Sequence, residues 1–258
     1  MPTYLRYQQA DGAHYGELIG EVIRPLQGAI GNLQPSAQPP VRLGDVRLLA
    51  PATPSKIIAI GPNYRAGLPP GMALPDRPMF WTKPASCLNH PEGIIDIQSG
   101  DVPTNHEVEL AIVIGKTASR VKRAQAAQYI FGYTCMNDVT VGDFAQAGAF
   151  MNSPYFVYGK IFDGFAPLGP WIVTDLDTRD LHLECRVNGE VRQSHSTADR
   201  LFEPDALVEM VSHIVSLQPG DVISTGSPPG VQPMKDGDVV EIEIQNIGTL
   251  RNHARNRS

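Results

Sequence analysis

The sequence predicts a mixed, β-rich α+β fold. Short runs in which apolar and polar residues alternate dominate the chain, and 24 glycines and 23 prolines interrupt them. Alternation with a period of two is typical of strands that bury one face, and frequent Gly and Pro mark the turns between strands. Apolar residues recur convincingly at helical spacing in only two segments. A parallel doubly wound sheet, which needs a helix between successive strands, is therefore disfavoured.

The chain divides into a small N-terminal β-rich module, residues 1–50, and a larger domain, residues 51–258. The module contains short β-prone runs broken by Gly and Pro, and a linker-like stretch at Gln34–Pro40 lies near its end. The larger domain opens with the apolar run Lys56–Gly61, which we expect to be a strand.

Two helices are predicted in the larger domain. One spans about Pro204–Leu217, where the apolar residues form a helical stripe until a Gln-Pro-Gly sequence ends the pattern. The other spans Arg123–Phe131. The segment Gly67–Pro78 is rich in Gly and Pro, and we expect it to form an irregular lid.

Composition, charge and cysteine spacing exclude several classes of protein. A chain of 258 residues with 42% hydrophobic and 19% charged residues can form a sizeable core, so a disordered chain is excluded. The net charge of −6 and the lack of a basic stripe argue against a nucleic-acid partner. Cys87, Cys135 and Cys185 form no Cys-x-x-Cys pair, so neither a disulfide framework nor a thiolate zinc site is indicated.

The sequence gives no sign of export or of a membrane span. The first ten residues lack a basic segment followed by an apolar core, and no stretch approaches about 18 consecutive apolar residues. We therefore expect a cytoplasmic protein without a membrane partner.

The stretch His106–Ile114 combines two carboxylates with an apolar strand. Glu107 and Glu109 share one face of an extended chain, about 6.6 Å apart at roughly 3.3 Å per residue, and both could bind one hard divalent ion. The alternative is an ordinary solvated strand face, because the same spacing recurs at Glu241 and Glu243.

Two further residues favour a metal site. Asp138 ends a β-prone run, where a strand can present a ligand. Lys160 is a single cation among aromatic and apolar neighbours, with no acidic partner four residues away. The alternative for Lys160 is a surface lysine whose aliphatic stem covers apolar residues.

Six short motifs follow one another along the chain: Glu107-x-Glu109, Asn137–Thr140, Gly159-Lys160, Pro167–Pro170, Val187–Glu190 and Thr225–Gly230. With these motifs in this order, the chain resembles the fumarylacetoacetate hydrolase family between about Ser55 and Ala254. Several motifs in the order found in a family are far more specific than any one of them.

This resemblance implies a β-roll-like catalytic domain, a homodimer and a Mg2+ or Mn2+ ion in the active site. It makes Glu107, Glu109 and Asp138 the metal ligands and Lys160 a catalytic cation beside the substrate oxygens. It also implies substrate contacts from four residues in two motifs, and for Thr225 the alternative is a turn that merely needs Gly226 and Gly230. These four residues are Asn63, Tyr64, Thr225 and Gly226.

Two departures from the family pattern affect the expected reaction. Hydrolytic members carry a His and, three residues later, a Glu just after the Asn-Tyr segment, whereas this chain continues Arg65-Ala-Gly-Leu. Gly142 stands where many relatives carry Arg. A water-activating base is therefore missing or comes from elsewhere, and His90 is our candidate for a relocated catalytic base, with His106 as the alternative.

The resemblance and these departures leave three functions open. We expect decarboxylation or isomerisation of a small 2-oxo or 2-hydroxydienoic acid through an enolate that the metal stabilises, with a 2-oxo dicarboxylic acid as the substrate. The first alternative is a hydrolase that cleaves a C–C bond in acylpyruvate-like compounds. The second is a non-catalytic relative that binds metal and ligand.

Overall fold

A computed structural model describes residues 1–68, 71–98, 102–142 and 156–256, and these residues form mostly β-strands. The β-rich α+β class predicted from the sequence is confirmed. The strands, in chain order, are β1 (Thr3–Gln9), β2 (Gly12–Ile19), β3 (Val22–Gln27), β4 (Gln34–Pro35), β5 (Val41–Arg42), β6 (Arg47–Leu49), β7 (Lys56–Gly61), β8 (Met79–Pro84), β9 (Leu88–Asn89), β10 (Ile94–Ile97), β11 (Thr104–His106), β12 (Val108–Ile114), β13 (Ile130–Asn137), β14 (Thr140–Val141), β15 (Ala166–Val173), β16 (His182–Val187), β17 (Glu190–Ser196), β18 (Val222–Ser224), β19 (Gln232–Pro233), β20 (Val239–Ile244) and β21 (Gly248–Asn256).

The largest sheet runs through both parts of the chain. Its strand order is β4-β3-β2-β1-β15-β13-β12-β18-β7-β8, with β5, β6 and β9 paired at the side. The N-terminal strands join the rest where β1 pairs antiparallel with β15, Thr3 opposite Val173 and Tyr4 opposite Ile172. Strand β12 lies in the interior of the sheet between β13 and β18, and all seven of its residues are buried. A strand buried on both faces explains the almost continuous apolar run in its sequence.

A second sheet, ordered β10-β21-β20-β16-β17, packs over the first. Its strand β20 alternates strictly between buried and half-buried residues, with Val240, Ile242 and Ile244 in the core. Glu241 and Glu243 lie on the opposite face and pair with Arg186. This glutamate pair therefore occupies a solvated strand face. A small third sheet, β14-β11-β19, lies beside the ends of β12 and β13.

The helix predicted near residue 204 is confirmed, and the one near residue 123 is wrong in type. Helix α1 spans Pro204–Ile214 and buries Leu207, Val208 and Val211 against the central sheet. Residues Arg123–Tyr129 form a 3-10 helix without a side-chain N-cap. The next residue, Ile130, pairs with Ile114 and begins β13, so strand pairing ends this helix after two turns.

The predicted lid has little regular structure. A short 3-10 helix spans Arg65–Gly67, and residues 71–78 belong to neither a helix nor a strand. Residues 69–70 lie outside the described part of the chain. Within the described ranges, no helix is long and apolar enough to cross a membrane.

Candidate active site

Three carboxylates meet where β12 and β13 lie side by side. Glu107 stands between β11 and β12, Glu109 lies in β12, and Asp138 directly follows β13. The pairing of Val108 with Asn137 brings these strand ends together, and the backbone N–H of Asp138 donates to the carbonyl of Glu107 at 3.0 Å. One oxygen from each carboxylate lies within 4.8 Å of the others, and all three side chains are buried.

Hydrogen bonds fix two of the carboxylates in place. Glu109 Oε2 accepts from the Ser224 hydroxyl and, at 2.7 Å, from the backbone N–H of Gly226. Glu107 Oε1 accepts from the Thr140 hydroxyl. A second oxygen on each glutamate, Glu107 Oε2 and Glu109 Oε1, receives no hydrogen bond from the described residues. These oxygens are free to bind a cation.

Two buried ammonium groups face the carboxylates. Lys160 Nζ lies 2.6 Å from Glu107 Oε1 and 2.7 Å from Asp138 Oδ2. Lys83 Nζ lies 2.6 Å from Asp138 Oδ1 and donates to the Val139 carbonyl at 3.3 Å. Lys160 is therefore a buried cation, and the alternative of a surface lysine does not describe it.

Lys83 is a residue that the sequence analysis missed. It lies in β8, two residues after Trp81, and both side chains are buried on the same side of the strand. The available signal was the one used for Lys160, an isolated cation in the apolar and aromatic run Met79–Pro84. A half-buried strand with an exposed lysine has the same sequence pattern, so the sequence alone could not predict that Lys83 is buried. The pairing of β8 with β7 shows its position.

The charges at this site are unbalanced. Burial raises the pKa of Glu109 well above its usual value, and repulsion from Asp138 and Glu107 adds to the effect. Burial also raises the pKa of Asp138, but Lys160 and Lys83 outweigh it, so the net shift is downward. Three carboxylates face two ammonium groups, and one negative charge lacks a partner. An all-oxygen, carboxylate-rich set of this kind fits Mg2+ or Mn2+.

A cavity of about 320 Å³ opens beside the carboxylates. Glu107 and Lys160 line its charged end, and most of its remaining wall is apolar. Trp81 packs edge-to-face on Phe156 with ring centroids 4.9 Å apart, and Lys160 Nζ lies 5.1 Å from the centre of the Trp81 ring. The other lining residues are Ile60, Gly61, Pro62, Tyr64, Gly67, Ser227, Pro228, Pro229, Gly230 and Val231.

The four predicted substrate contacts differ in position. Tyr64 lines the cavity, and its hydroxyl is buried without a partner in the described residues. Thr225 is buried, and its hydroxyl also lacks a partner there. Gly226 has a φ of +94°, which favours glycine, and its N–H holds Glu109. Gly226 therefore positions a carboxylate.

The side chain of Asn63, a predicted substrate contact, makes hydrogen bonds within the protein. Its Nδ2 donates to the carbonyls of Thr225 at 2.7 Å and Phe202 at 3.1 Å, and its Oδ1 accepts from the Phe202 N–H at 2.8 Å. Both amide hydrogens are therefore used inside the protein, and Asn63 ties the loop after β7 to the loop after β18.

The structure places His90, the predicted catalytic base, beside the N-terminal module. Its Nδ1 accepts from the backbone N–H of Ala50 at 3.1 Å, at the junction with the N-terminal module. Burial and the nearby Arg47 and Arg6 lower its pKa. Of the described residues, those lining the cavity do not include His90.

The alternative base, His106, is also outside the cavity lining in the described part of the chain. Its Nδ1 lies 3.0 Å from Gln193 Oε1, and burial lowers its pKa to about 4. His106 is therefore buried and neutral near pH 7.

Comparison with known proteins supplies the family. Residues 56–255 match the model of the fumarylacetoacetate (FAA) hydrolase C-terminal domain, and residues 3–51 match an Rv2993c-like N-terminal domain. The chain belongs to the fumarylacetoacetate hydrolase family. The sequence-based recognition is thus confirmed, together with the fold expected of that family's C-terminal domain.

Relatives in the fumarylacetoacetate hydrolase family have different activities. A crystal structure of 2-hydroxyhepta-2,4-diene-1,7-dioate isomerase from Mycobacterium marinum superimposes with a TM-score of 0.89 at 35% identity, covering 100% of both chains. The mitochondrial oxaloacetate tautomerase of Xenopus laevis is 39% identical over 81% of this chain and 68% of its own. Maleylpyruvate hydrolase from Sphingobium sp. SYK-6, in complex with manganese(II) and pyruvate, superimposes with a TM-score of 0.81 at 29% identity over 100% of both chains.

Proposed function

We propose that this family member interconverts tautomers or isomers of a small 2-oxo acid by forming its enolate. One observation carries the proposal: a cluster of three carboxylates reaches, through Glu107 and next to Lys160, a cavity whose described lining contains no histidine. Isomerisation and tautomerisation need stabilisation of negative charge but no activated water. The isomerase and tautomerase activities of two relatives support this assignment.

In this proposal, Glu107, Glu109 and Asp138 hold Mg2+ or Mn2+. The bound ion supplies Lewis-acid stabilisation of negative charge on the carboxylate and keto oxygens of the acid. The hydrogen bonds from Ser224 and Gly226 orient Glu109, and the Thr140 hydroxyl orients Glu107. These contacts preorganise the ligands before any ion arrives.

Lys160 supplies the second positive charge. Burial lowers its pKa, but Asp138, Glu107 and Glu109 together outweigh burial and raise it, so the group is an ammonium ion at neutral pH. When the C3–H bond of the substrate breaks, the electron pair moves into a C2–C3 double bond, the C2 oxygen becomes negative, and the proton passes to solvent. The centres of the Trp81 and Phe156 rings lie 5.1 and 5.7 Å from Lys160 Nζ and lower the polarity around it, which strengthens its attraction to that oxygen.

The test compares two reactions with one preparation. In deuterated buffer with Mg2+ or Mn2+, NMR should show enzyme-dependent exchange of the C3 hydrogens of 2-oxo acids. Cleavage of an acylpyruvate should be slower, because a general acid–base pair typically contributes about 10²–10⁴-fold. Rapid cleavage without C3 exchange would favour the hydrolase instead, an activity known in the maleylpyruvate relative. Metal-dependent binding without exchange or cleavage would favour the non-catalytic alternative.

We also retain in this proposal a cytoplasmic homodimer. Light scattering coupled to size-exclusion chromatography tests the assembly, with a mass of about twice the 28.0 kDa of one chain expected. A mass of one chain would remove the dimer from the proposal and leave the chemistry unaffected.

A further inference from the structure

The cavity has one charged end and an apolar remainder. Glu107 and Lys160 mark the charged end. Apart from Tyr64 and Ser227, which carry hydroxyls, the other lining residues that have side chains offer rings, alkyl groups and pyrrolidines rather than charge. These are Ile60, Pro62, Trp81, Phe156, Pro228, Pro229 and Val231.

The described lining offers no cation to a second carboxylate of the substrate. Lys160 is the only Lys, Arg or His in that lining, and its ammonium already contacts Glu107 and Asp138. Four residues after Asp138, buried Gly142 has no side chain, and its N–H and carbonyl are bonded to Pro103 and Asn105. The following residues, 143–155, contain no Lys, Arg or His in their sequence.

These features determine which substrate tail can bind. A carboxylate pressed against the apolar wall would lose its hydration and gain no ion pair, which is unfavourable. An apolar tail would instead exchange water for the Trp81 and Phe156 rings, which is favourable. A volume of about 320 Å³ is at the lower end of the range for small-molecule sites, roughly 300–1,000 Å³, and suits a compact acid.

We propose that the substrate is a 2-oxo acid whose tail beyond C3 is uncharged and apolar, either aromatic or branched aliphatic. This inference rests on the proposed function, because it assumes that the 2-oxo acid end binds at the carboxylates and Lys160. It replaces the dicarboxylic acid expected from the sequence. Trp81 and Phe156 then determine specificity by contact with the tail.

A matched pair of ligands tests the tail directly. The dicarboxylate 2-oxoglutarate and the monoacid 5-methyl-2-oxohexanoate have nearly the same shape, because an isopropyl group replaces the second carboxylate. Calorimetric titration of the metal-loaded protein should give at least about tenfold tighter binding of the monoacid, and 3-phenylpyruvate should also bind more tightly than 2-oxoglutarate. Equal or tighter binding of 2-oxoglutarate would overturn the inference.

A substitution in the wall should reverse this preference. Val231 is half-buried and lines the cavity, so Val231→Lys adds a cation at the apolar side with little effect on the core. This variant should bind 2-oxoglutarate more tightly than the unchanged protein, whereas Val231→Met, of similar length without charge, should not. If both variants leave the ratio of the two affinities unchanged, the wall does not select the tail and the inference is wrong.

Fluorescence gives a readout that does not depend on turnover. The chain has two tryptophans, and Trp171→Phe leaves Trp81 as the sole tryptophan. The monoacid should shift the Trp81 emission, and pyruvate, which lacks a tail, should shift it less. Equal shifts would contradict contact with the tail.

If C3 exchange occurs while the tail preference fails, the proposed function stands without this inference; if no 2-oxo acid binds or exchanges, both are overturned.

Discussion

Glu109 is the carboxylate most firmly oriented by neutral donors, since Ser224 and Gly226 both bond its Oε2. Changing Glu109→Gln removes a charged ligand while keeping the shape of the side chain. We expect Mn2+ affinity to fall by roughly 100-fold or more, since hard cations depend on carboxylate charge. Calorimetric titration with Mn2+ measures this change. Glu243→Gln, at the same spacing on the solvated face of β20, is the matched control and should leave Mn2+ binding unchanged. Unchanged binding in Glu109→Gln would remove Glu109 from the metal site.

Lys160 and Lys83 both contact Asp138, but only Lys160 lines the cavity among the described residues. Lys160→Met should leave the fold and the metal in place and lower kcat by about 10²-fold or more, because loss of one group that stabilises an oxyanion typically costs that much. Both substitutions leave a buried carboxylate without one of its partners and should lower stability, but Lys83→Met should leave kcat largely unchanged. Steady-state kinetics and urea unfolding separate the two effects. Equal losses of kcat in both variants would contradict a special role for Lys160.

At the residue scale, the order of motifs selected Glu107, Glu109, Asp138 and Lys160, and the structure brings these four side chains together. Spacing alone could not have separated Glu107 and Glu109 from Glu241 and Glu243, because burial depends on which strands pair beside them. The position of His90 could not be predicted for a related reason, since its partner Ala50 is 40 residues away in sequence and belongs to the N-terminal module.

Elements are joined by buried polar residues as well as by strand pairing, and Asp221 is one such residue. It precedes β18, and its carboxylate accepts from the N–H groups of Ser55, Lys56 and Gln218 and from the Lys56 ammonium at 2.5 Å. Asp221 thus ties the start of β7 to the start of its parallel neighbour β18. Burial raises the pKa of Asp221, but these hydrogen bonds outweigh it and lower the pKa overall.

Asp221→Asn should lower the free energy of unfolding at pH 7 by about 1.5–3 kcal/mol, the contribution of hydrogen bonds to a charged group. Because the folded pKa lies below the unfolded value of about 3.9, this stabilisation is fully present above that value and is lost as the pH falls through the folded pKa. Urea unfolding at a series of pH values should therefore show the difference from the unchanged protein shrinking below about pH 4. The exposed Asp45, changed to Asn, is the control. A difference independent of pH would show that the charge of Asp221 is not the cause.

The predicted strand over His106–Ile114 shows why element boundaries were harder to predict than element types. The structure breaks it at Glu107, between β11 and β12. There the N–H of Glu107 donates to Asn137 Oδ1 at 2.9 Å, and the N–H of Val108 donates to Gln193 Oε1 at 3.1 Å. Side chains from β13 and β17 thus replace strand partners for two residues. Periodicity predicted the strand, but it could not reveal hydrogen-bond acceptors that lie 30 and 85 residues away in sequence.

At the scale of the whole molecule, the predicted division near residue 50 crosses a continuous sheet. Strands β1 to β4 extend the central sheet through the pairing of β1 with β15. The module also has a small core of its own, in which Leu5, Tyr7 and Ile23 are fully buried. Ala50 and Ile30, in contrast, pack with Ile172 and Met136 in a core of the larger domain. Turn residues in the sequence marked the boundary of the module, but they carried no information about this shared core.

These shared contacts predict that the chain unfolds as one cooperative unit. Leu5→Ala removes a fully buried side chain from the module and should cost roughly 2–5 kcal/mol. For a chain of this size, each kcal/mol lowers Tm by roughly 2–4 °C, so a clear downward shift is expected. Scanning calorimetry should show a single transition in the unchanged protein and in Leu5→Ala. The variant Ile112→Ala, in the interior of β12, should shift that same transition. Exposed Val191→Ala is the control and should change Tm little. The contrary result is two transitions, an early one whose temperature changes only in Leu5→Ala and a later one whose temperature changes only in Ile112→Ala. It would show that the module unfolds independently of the larger domain, and that the pairing of β1 with β15 is too weak to couple the two.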